Sequence, residues 1–258
     1  MLRRCCPPLA EDAVHVWHQR TDRFDQDPAF VDAFHKLLSP GEQTRFAQIR
    51  RPGDRFVYLL SRAMMRTVLA QYVDSACENL AFGANDFGKP ILTPSERPAV
   101  HFNLTHSRGA IALAVSATCE VGIDIEDRYR AVEFRALADR FFSEPEACYL
   151  RGLEGERLRD AFFAIWTLKE AFVKGIGRGL SFPLDAFCFD LDVHRLIAFR
   201  PLADYVATDW RFRQFELDDQ HSGALAIRGR HAEEVCVQFY EWDAHFGTDA
   251  TTGEGERS

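Results

Sequence analysis

At the middle of the chain stands the segment Val121-Gly122-Ile123-Asp124-Ile125-Glu126-Asp127, in which apolar and acidic side chains alternate. Residues two apart in a strand share a face, so the isoleucines face a core while Asp124 and Glu126 project together. Two parallel carboxylates repel unless a cation lies between them, and Mg²⁺ prefers such oxygen ligands. The alternative is a strand end with one solvated face, since Asp-x-Glu alone is a common pattern. The segment therefore predicts a strand and leaves metal binding as one of two interpretations.

Periodicity and capping signals predict helices and strands on both sides of this segment. Helices are expected at 39–72, interrupted by Pro52 and Gly53, then at 132–142, from Ser143 onward, and at 158–175. Strands are expected at 99–104, 110–115, 119–126, 186–191, 210–217, 224–227 and 234–240, with a hairpin turn at Ser107-Arg108-Gly109. Helices followed by strands, twice over, predict an α+β protein of two similar lobes. We place the lobes at 1–117 and 118–246, the second carrying the metal site, and a flexible tail at 247–258.

A second candidate segment is Trp166-Thr167-Leu168-Lys169-Glu170-Ala171-Phe172-Val173-Lys174. Trp166, Glu170 and Lys174 recur every four residues and so share one face of a helix. One interpretation is a surface ion pair between Glu170 and Lys174, worth a few tenths of a kcal/mol. The other makes Glu170 a third oxygen ligand and Lys174 a cation for phosphate.

Two shorter segments are ambiguous when each is taken alone. In Phe102-Asn103-Leu104-Thr105-His106-Ser107, the hydroxyls and the imidazole can bind phosphate oxygens, although a lone histidine is more often structural. Gly88-Lys89-Pro90 is ordinarily a turn.

The charge, the apolar runs and the cysteines of the sequence argue against several classes of protein. The 258 residues carry a formal charge of −8, which argues against a general nucleic-acid partner, although six arginines lie between Arg45 and Arg66 against the single acid Asp54. No apolar run is long enough for a membrane span, and Pro7-Pro8 and then Glu11-Asp12 interrupt the place where a signal core would stand. Seven scattered cysteines without a C-x-x-C pair favour reduced thiols over disulfides or zinc, so we expect a cytoplasmic protein.

Taken together, the segments resemble the 4′-phosphopantetheinyl transferase superfamily, in its larger Sfp-like type. The resemblance runs from about residue 39 to residue 227, and six segments in order make it specific. They are Gly88-Lys89-Pro90, Phe102-Asn103-Leu104-Thr105-His106-Ser107, Gly122-Ile123-Asp124-Ile125-Glu126, Phe141-Phe142-Ser143-Glu144-Pro145-Glu146, Trp166 to Lys174 as quoted above, and Gly179-Leu180-Ser181-Phe182-Pro183-Leu184.

The resemblance implies an activity and a fold. Such enzymes move the phosphopantetheine arm of coenzyme A to a serine of an apo acyl or peptidyl carrier protein and release adenosine 3′,5′-bisphosphate. Their two α+β lobes are related by a pseudo-twofold axis, and the active site lies in the cleft between them. It also implies an Mg²⁺-dependent reaction in a protein that we expect to be a monomer.

The resemblance further assigns roles to residues. Asp124, Glu126 and Glu170 would hold Mg²⁺ on the pyrophosphate, and Lys174 would be its cationic partner. Glu146 would be the base for the serine hydroxyl, with Glu144 as the rival. The nucleotide contacts that it implies are Arg45, Lys89, Thr105 and His106. Arg50, Arg51, Arg62 and Arg66 would add to the positive field around coenzyme A.

Two other functions are kept open. A coenzyme A or carrier-binding module that has lost catalysis would not need the whole acidic set. A nucleotide-pyrophosphate hydrolase would consume coenzyme A without any carrier present. The region 141–151 is the expected docking surface for an acidic carrier protein.

Overall fold

The computed structural model describes residues 6–24, 26–93, 100–179, 182–202, 204–229 and 232–243. The tail expected at 247–258 lies outside these ranges. Six α-helices lie within the described ranges: α1 (Pro28–His35), α2 (Pro40–Gln48), α3 (Pro52–Tyr72), α4 (Phe134–Phe141), α5 (Glu144–Arg151) and α6 (Gly155–Ile176). The helices predicted from the sequence are confirmed, and α1 is additional. Each helix of the described ranges is too short or too polar to cross a bilayer.

Capping chemistry explains where these helices begin and end. Ser39 and Glu42 form a capping box at α2, and Ser143 and Glu146 form another at α5. Proline at the first positions of α2, α3 and α5 suits a helix start, where no intrahelical amide bond is lost. Helix α6 ends at Gly177, whose φ of 69° is the left-handed conformation that glycine adopts without strain.

Eleven strands lie within the described ranges. They are β1 (Ala13–Arg20), β2 (Phe82–Ala84), β3 (Pro90–Leu92), β4 (His101–Ser107), β5 (Ala110–Ser116), β6 (Glu120–Asp127), β7 (Cys188–Asp192), β8 (Arg195–Arg200), β9 (Trp210–Glu216), β10 (His221–Arg228) and β11 (Cys236–Glu241). The first sheet has the order β11-β1-β5-β4, and the second has the order β6-β10-β9. Two hairpins, β2-β3 and β7-β8, complete the set. The prediction of a mixed α+β protein is therefore confirmed.

The path of the last strand differs from the predicted division of the chain. Strand β11 follows residue 118 by more than a hundred positions, yet it pairs in parallel with β1, with Ala13 opposite Cys236. The predicted division at 117/118 places β11 in the second lobe, whereas β11 pairs with a strand of the first. Strand β1 itself was not predicted. Both of its faces are covered, since Val14, His15, Val16 and Trp17 are all buried. A strand covered on both faces lacks the regular apolar–polar alternation by which a strand is recognised in a sequence.

A long helix covers each main sheet, and the two sheets share a core. Helix α3 packs on β5, while α6 packs on β6 and β10. Strands of both sheets contribute to one apolar cluster, which includes Val14, Val16, Ala112, Ile123, Ile125, Leu225 and Val237. The edge strands β4 and β6 thereby lie side by side at the junction of the two sheets.

The approach of α6 to β6 depends on Gly122. A Cβ on Gly122 would lie 2.0 Å from the carbonyl oxygen of Ala171 and 2.2 Å from the amide nitrogen of Gly175, both main-chain atoms. The helix backbone thus rests directly on the strand backbone, as only glycine permits. This contact brings the acidic face of β6 and the Glu170–Lys174 face of α6 together.

Candidate active site

Asp124 is the centre of the charged cluster that forms where β6, α6 and β4 meet. Its Oδ1 accepts a hydrogen bond from Lys174 Nζ at 2.5 Å and from the Thr105 hydroxyl at 3.3 Å. The same ammonium group donates to Thr105 Oγ1 at 3.0 Å. Burial raises the pKa of Asp124, and Lys174 and Thr105 act against that rise.

Glu126 and Glu170 carry the other two acidic groups of the cluster. Burial, followed by the charges of Asp124 and Glu170, raises the pKa of Glu126 to about 7. Burial and the charge of Asp124 also raise the pKa of Glu170. Arg130 is the other near cation, 3.5 Å from Glu126. The three carboxylates therefore lie within electrostatic reach of one another.

The chemistry of this cluster suits a hard divalent cation. Its donors are carboxylate oxygens, and Asp124 Oδ2 is buried without a hydrogen-bond partner among the described residues. Within the described ranges, however, no three acidic, histidine or cysteine side chains are already arranged around a common metal position. The donor set thus fits the metal, while the ligand geometry is not in place.

Two cavities open beside the cluster. A cavity of about 620 Å³ is lined by Glu126, His106 and Arg130 together with the turn Ser107-Arg108-Gly109 and the first turn of α3. A cavity of about 390 Å³ is lined by Glu170 and by apolar side chains that include Phe141, Trp166 and Phe182. Glu126 and Glu170 therefore face different cavities, with Asp124 and Lys174 between their elements.

His106 lines the larger cavity, and the charge of Arg62, from the predicted basic window, acts on its imidazole. Partial desolvation, followed by the charges of Lys174 and Arg62, lowers the pKa of His106. A neutral imidazole offers a ligand a hydrogen bond and no net charge. Arg45, predicted as a phosphate contact, is exposed on α2 and is not among the residues lining this cavity. Arg66 is buried and ion-paired with Glu42 at 2.7 Å, so it does not contribute an exposed charge.

Lys89, predicted as a nucleotide contact, bonds to main-chain carbonyl groups. Its Nζ donates to the carbonyl oxygens of Val121 and Gly175, each at 3.1 Å, and burial lowers its pKa to about 8. Neighbouring Asn85 donates to the carbonyl oxygen of Gly177 at 2.8 Å. The Gly88-Lys89-Pro90 turn therefore connects the end of α6 to β6, which argues for a structural role of Lys89, and its nucleotide role stays a prediction.

We expect Lys89→Met to lower the free energy of unfolding by about 1–3 kcal/mol, because two buried carbonyl groups lose their donor. Urea unfolding followed by circular dichroism measures this change. Lys36→Met is the matched control, since Lys36 is exposed and pairs with Asp32 on the surface of α1. Unchanged stability with weakened binding of adenosine 3′,5′-bisphosphate would restore the nucleotide role.

Glu146 is also placed differently from the predicted general base. Its side chain is 1% exposed and pairs with Lys169 at 2.7 Å. Ser143 donates to Oε2 through its amide and its hydroxyl, and the Phe189 amide donates to Oε1 at 2.9 Å. Both oxygens are thus held by fixed donors away from the two cavities. This arrangement argues for a structural role, and Glu144, the rival base, is an exposed partner of Arg151.

Comparisons with known proteins agree with this architecture. Residues 120–244 match the family model of the 4′-phosphopantetheinyl transferase superfamily, and residues 26–118 match the model of the 4′-phosphopantetheinyl transferase N-terminal region. The 4′-phosphopantetheinyl transferase ffp of Bacillus subtilis is 33% identical over 212 residues, 82% of this chain and 92% of ffp. The chain belongs to the 4′-phosphopantetheinyl transferase superfamily.

Further relatives show how far the similarity extends. The 4′-phosphopantetheinyl transferase HetI of Nostoc sp. is 29% identical over 222 residues, 86% of this chain and 90% of HetI. The 4′-phosphopantetheinyl transferase Sfp of Bacillus subtilis is 30% identical over 156 residues, 60% of this chain and 67% of Sfp. For two further relatives with phosphopantetheinyl transferase names, the chain spans 65% and 66% of the relative's own length. The chain is thus an enzyme of the phosphopantetheinyl transferase type, similar to Sfp.

Sequence reasoning missed two features of this phosphopantetheinyl transferase. Lys169 looked like an ordinary helix residue, yet its side chain is fully buried against Glu146. The capping-box pattern at Ser143 was an available signal, because it predicts that the Glu146 side chain bonds to the Ser143 amide. Thr105 was predicted to contact nucleotide, whereas the structure directs its hydroxyl to Asp124. The available signal was the spacing of two residues between Asn103 and Thr105, which places both side chains on the same face of the strand.

Proposed function

We propose that this transferase moves the phosphopantetheine arm of coenzyme A to a serine of an apo acyl or peptidyl carrier protein and releases adenosine 3′,5′-bisphosphate. The observation that carries the proposal is the cluster of Asp124, Glu126, Glu170 and Lys174, gathered from β6 and α6 between two cavities. Family membership supports the reaction class. In this proposal the two cavities belong to one cleft between two pseudo-twofold-related lobes.

Asp124, Glu126 and Glu170 are the residues proposed to hold Mg²⁺. When bound, the metal would neutralise negative charge on the pyrophosphate as the bond to the departing nucleotide breaks. Two observations support this assignment: Asp124 Oδ2 lacks a partner among the described residues, and the pKa values of all three carboxylates are raised. A bound cation would give Oδ2 a partner and would lower the three pKa values.

Lys174 and the cavity residues are proposed to bind and orient the substrate. Lys174 keeps 28% of its side chain exposed, so its ammonium group can stabilise negative charge on the leaving phosphate. His106 lines the larger cavity and can donate or accept a hydrogen bond there, and the positive charge of Arg62 acts on its imidazole. Since Glu146 is enclosed, the group proposed to take the serine proton is the oxygen of Glu170 that is not used for the metal, because Glu170 opens onto the apolar cavity.

The partners and the compartment follow as parts of the same proposal. Coenzyme A and an apo carrier protein are the two substrates, and no nucleic acid is required. A monomer is sufficient, because the cluster is assembled from one chain. Within the described residues, Cys77, Cys119, Cys148, Cys188 and Cys236 form no disulfide, which supports a reducing cytoplasm.

Mass spectrometry of an apo carrier incubated with the transferase, coenzyme A and Mg²⁺ tests the function. The expected result is a carrier heavier by one phosphopantetheine arm. An unmodified carrier with intact coenzyme A would indicate a binding module, and coenzyme A cleaved without a carrier would indicate a hydrolase. A panel of acyl and peptidyl carriers, compared by rate, identifies the preferred class.

We expect Asp124→Asn to slow transfer by about 100-fold or more, because the central negative charge of the cluster is lost. Glu120→Gln is the matched control, since Glu120 lies on the same strand and pairs with Arg228 at the surface. Initial rates of holo-carrier formation measure both variants. A wild-type rate for Asp124→Asn would remove the proposed metal centre.

A further inference from the structure

One face of β4 presents three polar side chains to the neighbouring edge of β6. Asn103 Oδ1 accepts from the Ile123 amide at 2.8 Å, and Ser107 Oγ accepts from the Asp127 amide at 2.9 Å. Thr105 lies between them and donates to Asp124 Oδ1. The two strands belong to different sheets, so these side chains replace the ladder that would otherwise satisfy the β6 edge.

Thr105 differs from the other two, because it contacts side chains of the charged cluster. It is 3% exposed, and its hydroxyl, the Lys174 ammonium group and Asp124 Oδ1 form a closed triangle. Both donors therefore meet on the same carboxylate oxygen. The other oxygen, Oδ2, is the buried atom without a partner among the described residues.

We propose that Thr105 is a positioning residue that holds Lys174 on Oδ1 of Asp124 and so keeps Oδ2 available for the divalent cation. The inference rests on the proposed function. A lysine ammonium group on a flexible stem can otherwise move between the two oxygens of a carboxylate and compete with the metal. The hydroxyl restricts that movement, because it accepts from Lys174 while donating to Oδ1.

The hydrogen count of the hydroxyl argues against the nucleotide role predicted for Thr105. A threonine hydroxyl has one hydrogen to donate, and here that hydrogen goes to Asp124. Phosphate oxygens accept hydrogen bonds, so Thr105 could bind a phosphate only by releasing Asp124. His106, the next residue, lies on the opposite face of β4 and lines the larger cavity, where a nucleotide contact is available.

The test compares Thr105→Val, which keeps the shape and removes the hydroxyl, with Thr105→Ser, which keeps the hydroxyl. Electron paramagnetic resonance follows Mn²⁺ binding with and without saturating coenzyme A, calorimetry gives the Kd of adenosine 3′,5′-bisphosphate, and carrier modification gives kcat. We expect Thr105→Val to weaken Mn²⁺ binding and to lower kcat, each by about 10- to 100-fold, with the Kd of the bisphosphate unchanged. Thr105→Ser is expected to restore both quantities.

Thr167→Val is the matched control, since it removes a buried hydroxyl whose hydrogen bonds, among the described residues, stay within α6. All three measurements are expected to stay at their wild-type values in this variant. Should Thr105→Val fail to fold, Thr105→Ala removes the same hydroxyl and carries the same expectations.

Three outcomes would overturn the inference. Unchanged Mn²⁺ binding in Thr105→Val would show that the hydroxyl does not position the cluster, and so would failure of Thr105→Ser to restore it. A weakened Kd for the bisphosphate with normal Mn²⁺ binding would make Thr105 a nucleotide contact. A wild-type protein that binds no Mn²⁺ or transfers nothing to any carrier would instead refute the proposed function, on which this inference depends.

Discussion

Gly122→Ala is expected to destabilise the fold by about 3 kcal/mol or more and to abolish transfer. The added Cβ would overlap the Ala171 carbonyl oxygen and the Gly175 amide nitrogen, and main-chain atoms of a packed helix cannot rotate away. The strand and the helix must therefore separate. Because Asp124 lies on β6 and Lys174 on α6, their contact would be lost with the packing.

Urea unfolding and holo-carrier formation measure the two effects of Gly122→Ala. Gly41→Ala is the matched control, because among the described residues no heavy atom outside its chain neighbours and its own helix backbone lies within 4 Å of the position its Cβ would take in the first turn of α2. That variant is expected to be as stable as the wild type or slightly more stable. Wild-type stability and rate in Gly122→Ala would contradict the close packing of α6 on β6.

Lys169→Met is expected to lower the free energy of unfolding by about 3–5 kcal/mol, because it leaves the Glu146 carboxylate buried without its cation. The ammonium group of Lys169 is fully buried and also donates to the carbonyl oxygens of Leu184 and Phe187. Burial lowers the pKa of Lys169, and the charge of Glu146 opposes that change. The charge of Lys169 thus depends on its pairing with Glu146.

Urea unfolding of Lys169→Met and of the double variant Glu146→Gln with Lys169→Met tests the pair. The double variant is expected to be more stable than Lys169→Met, because no unpaired charge remains buried. Equal stability of the wild type and Lys169→Met would show that the pair is absent in solution.

Glu146→Gln alone separates the structural role from the predicted catalytic one. From the enclosure of Glu146 we expect reduced stability, with near wild-type transfer by the folded protein. A stable variant with slow transfer would return the base role to Glu146.

The elements with strong local signals could be predicted from the sequence. Ser39 with Glu42, and Pro52 with Gly53, locate the starts of α2 and α3 because caps and proline act over one helical turn. The alternation at 121–127 located the strand and its acidic face. The four-residue spacing of Glu170 and Lys174 located the face of α6 that meets it.

The partners of individual side chains could not be predicted in the same way. Periodicity identifies the face on which Lys89 or Thr105 lies, but tertiary packing decides which atoms that face meets. A single lysine in a turn gives the same sequence pattern whether its side chain binds a phosphate or, like Lys89, donates to two carbonyl oxygens. The pairing of β1 with β11 joins segments more than two hundred residues apart, beyond the range of any local pattern.

That pairing has a consequence for how the polypeptide matures. During synthesis from the amino terminus, β1 can associate with β5 long before Cys236–Glu241 leaves the ribosome. Until then the other border of β1 offers unpaired amides and carbonyls, the kind of surface on which nascent chains associate wrongly. The sheet that contains β1 is therefore complete only after residues 236–241 have been made.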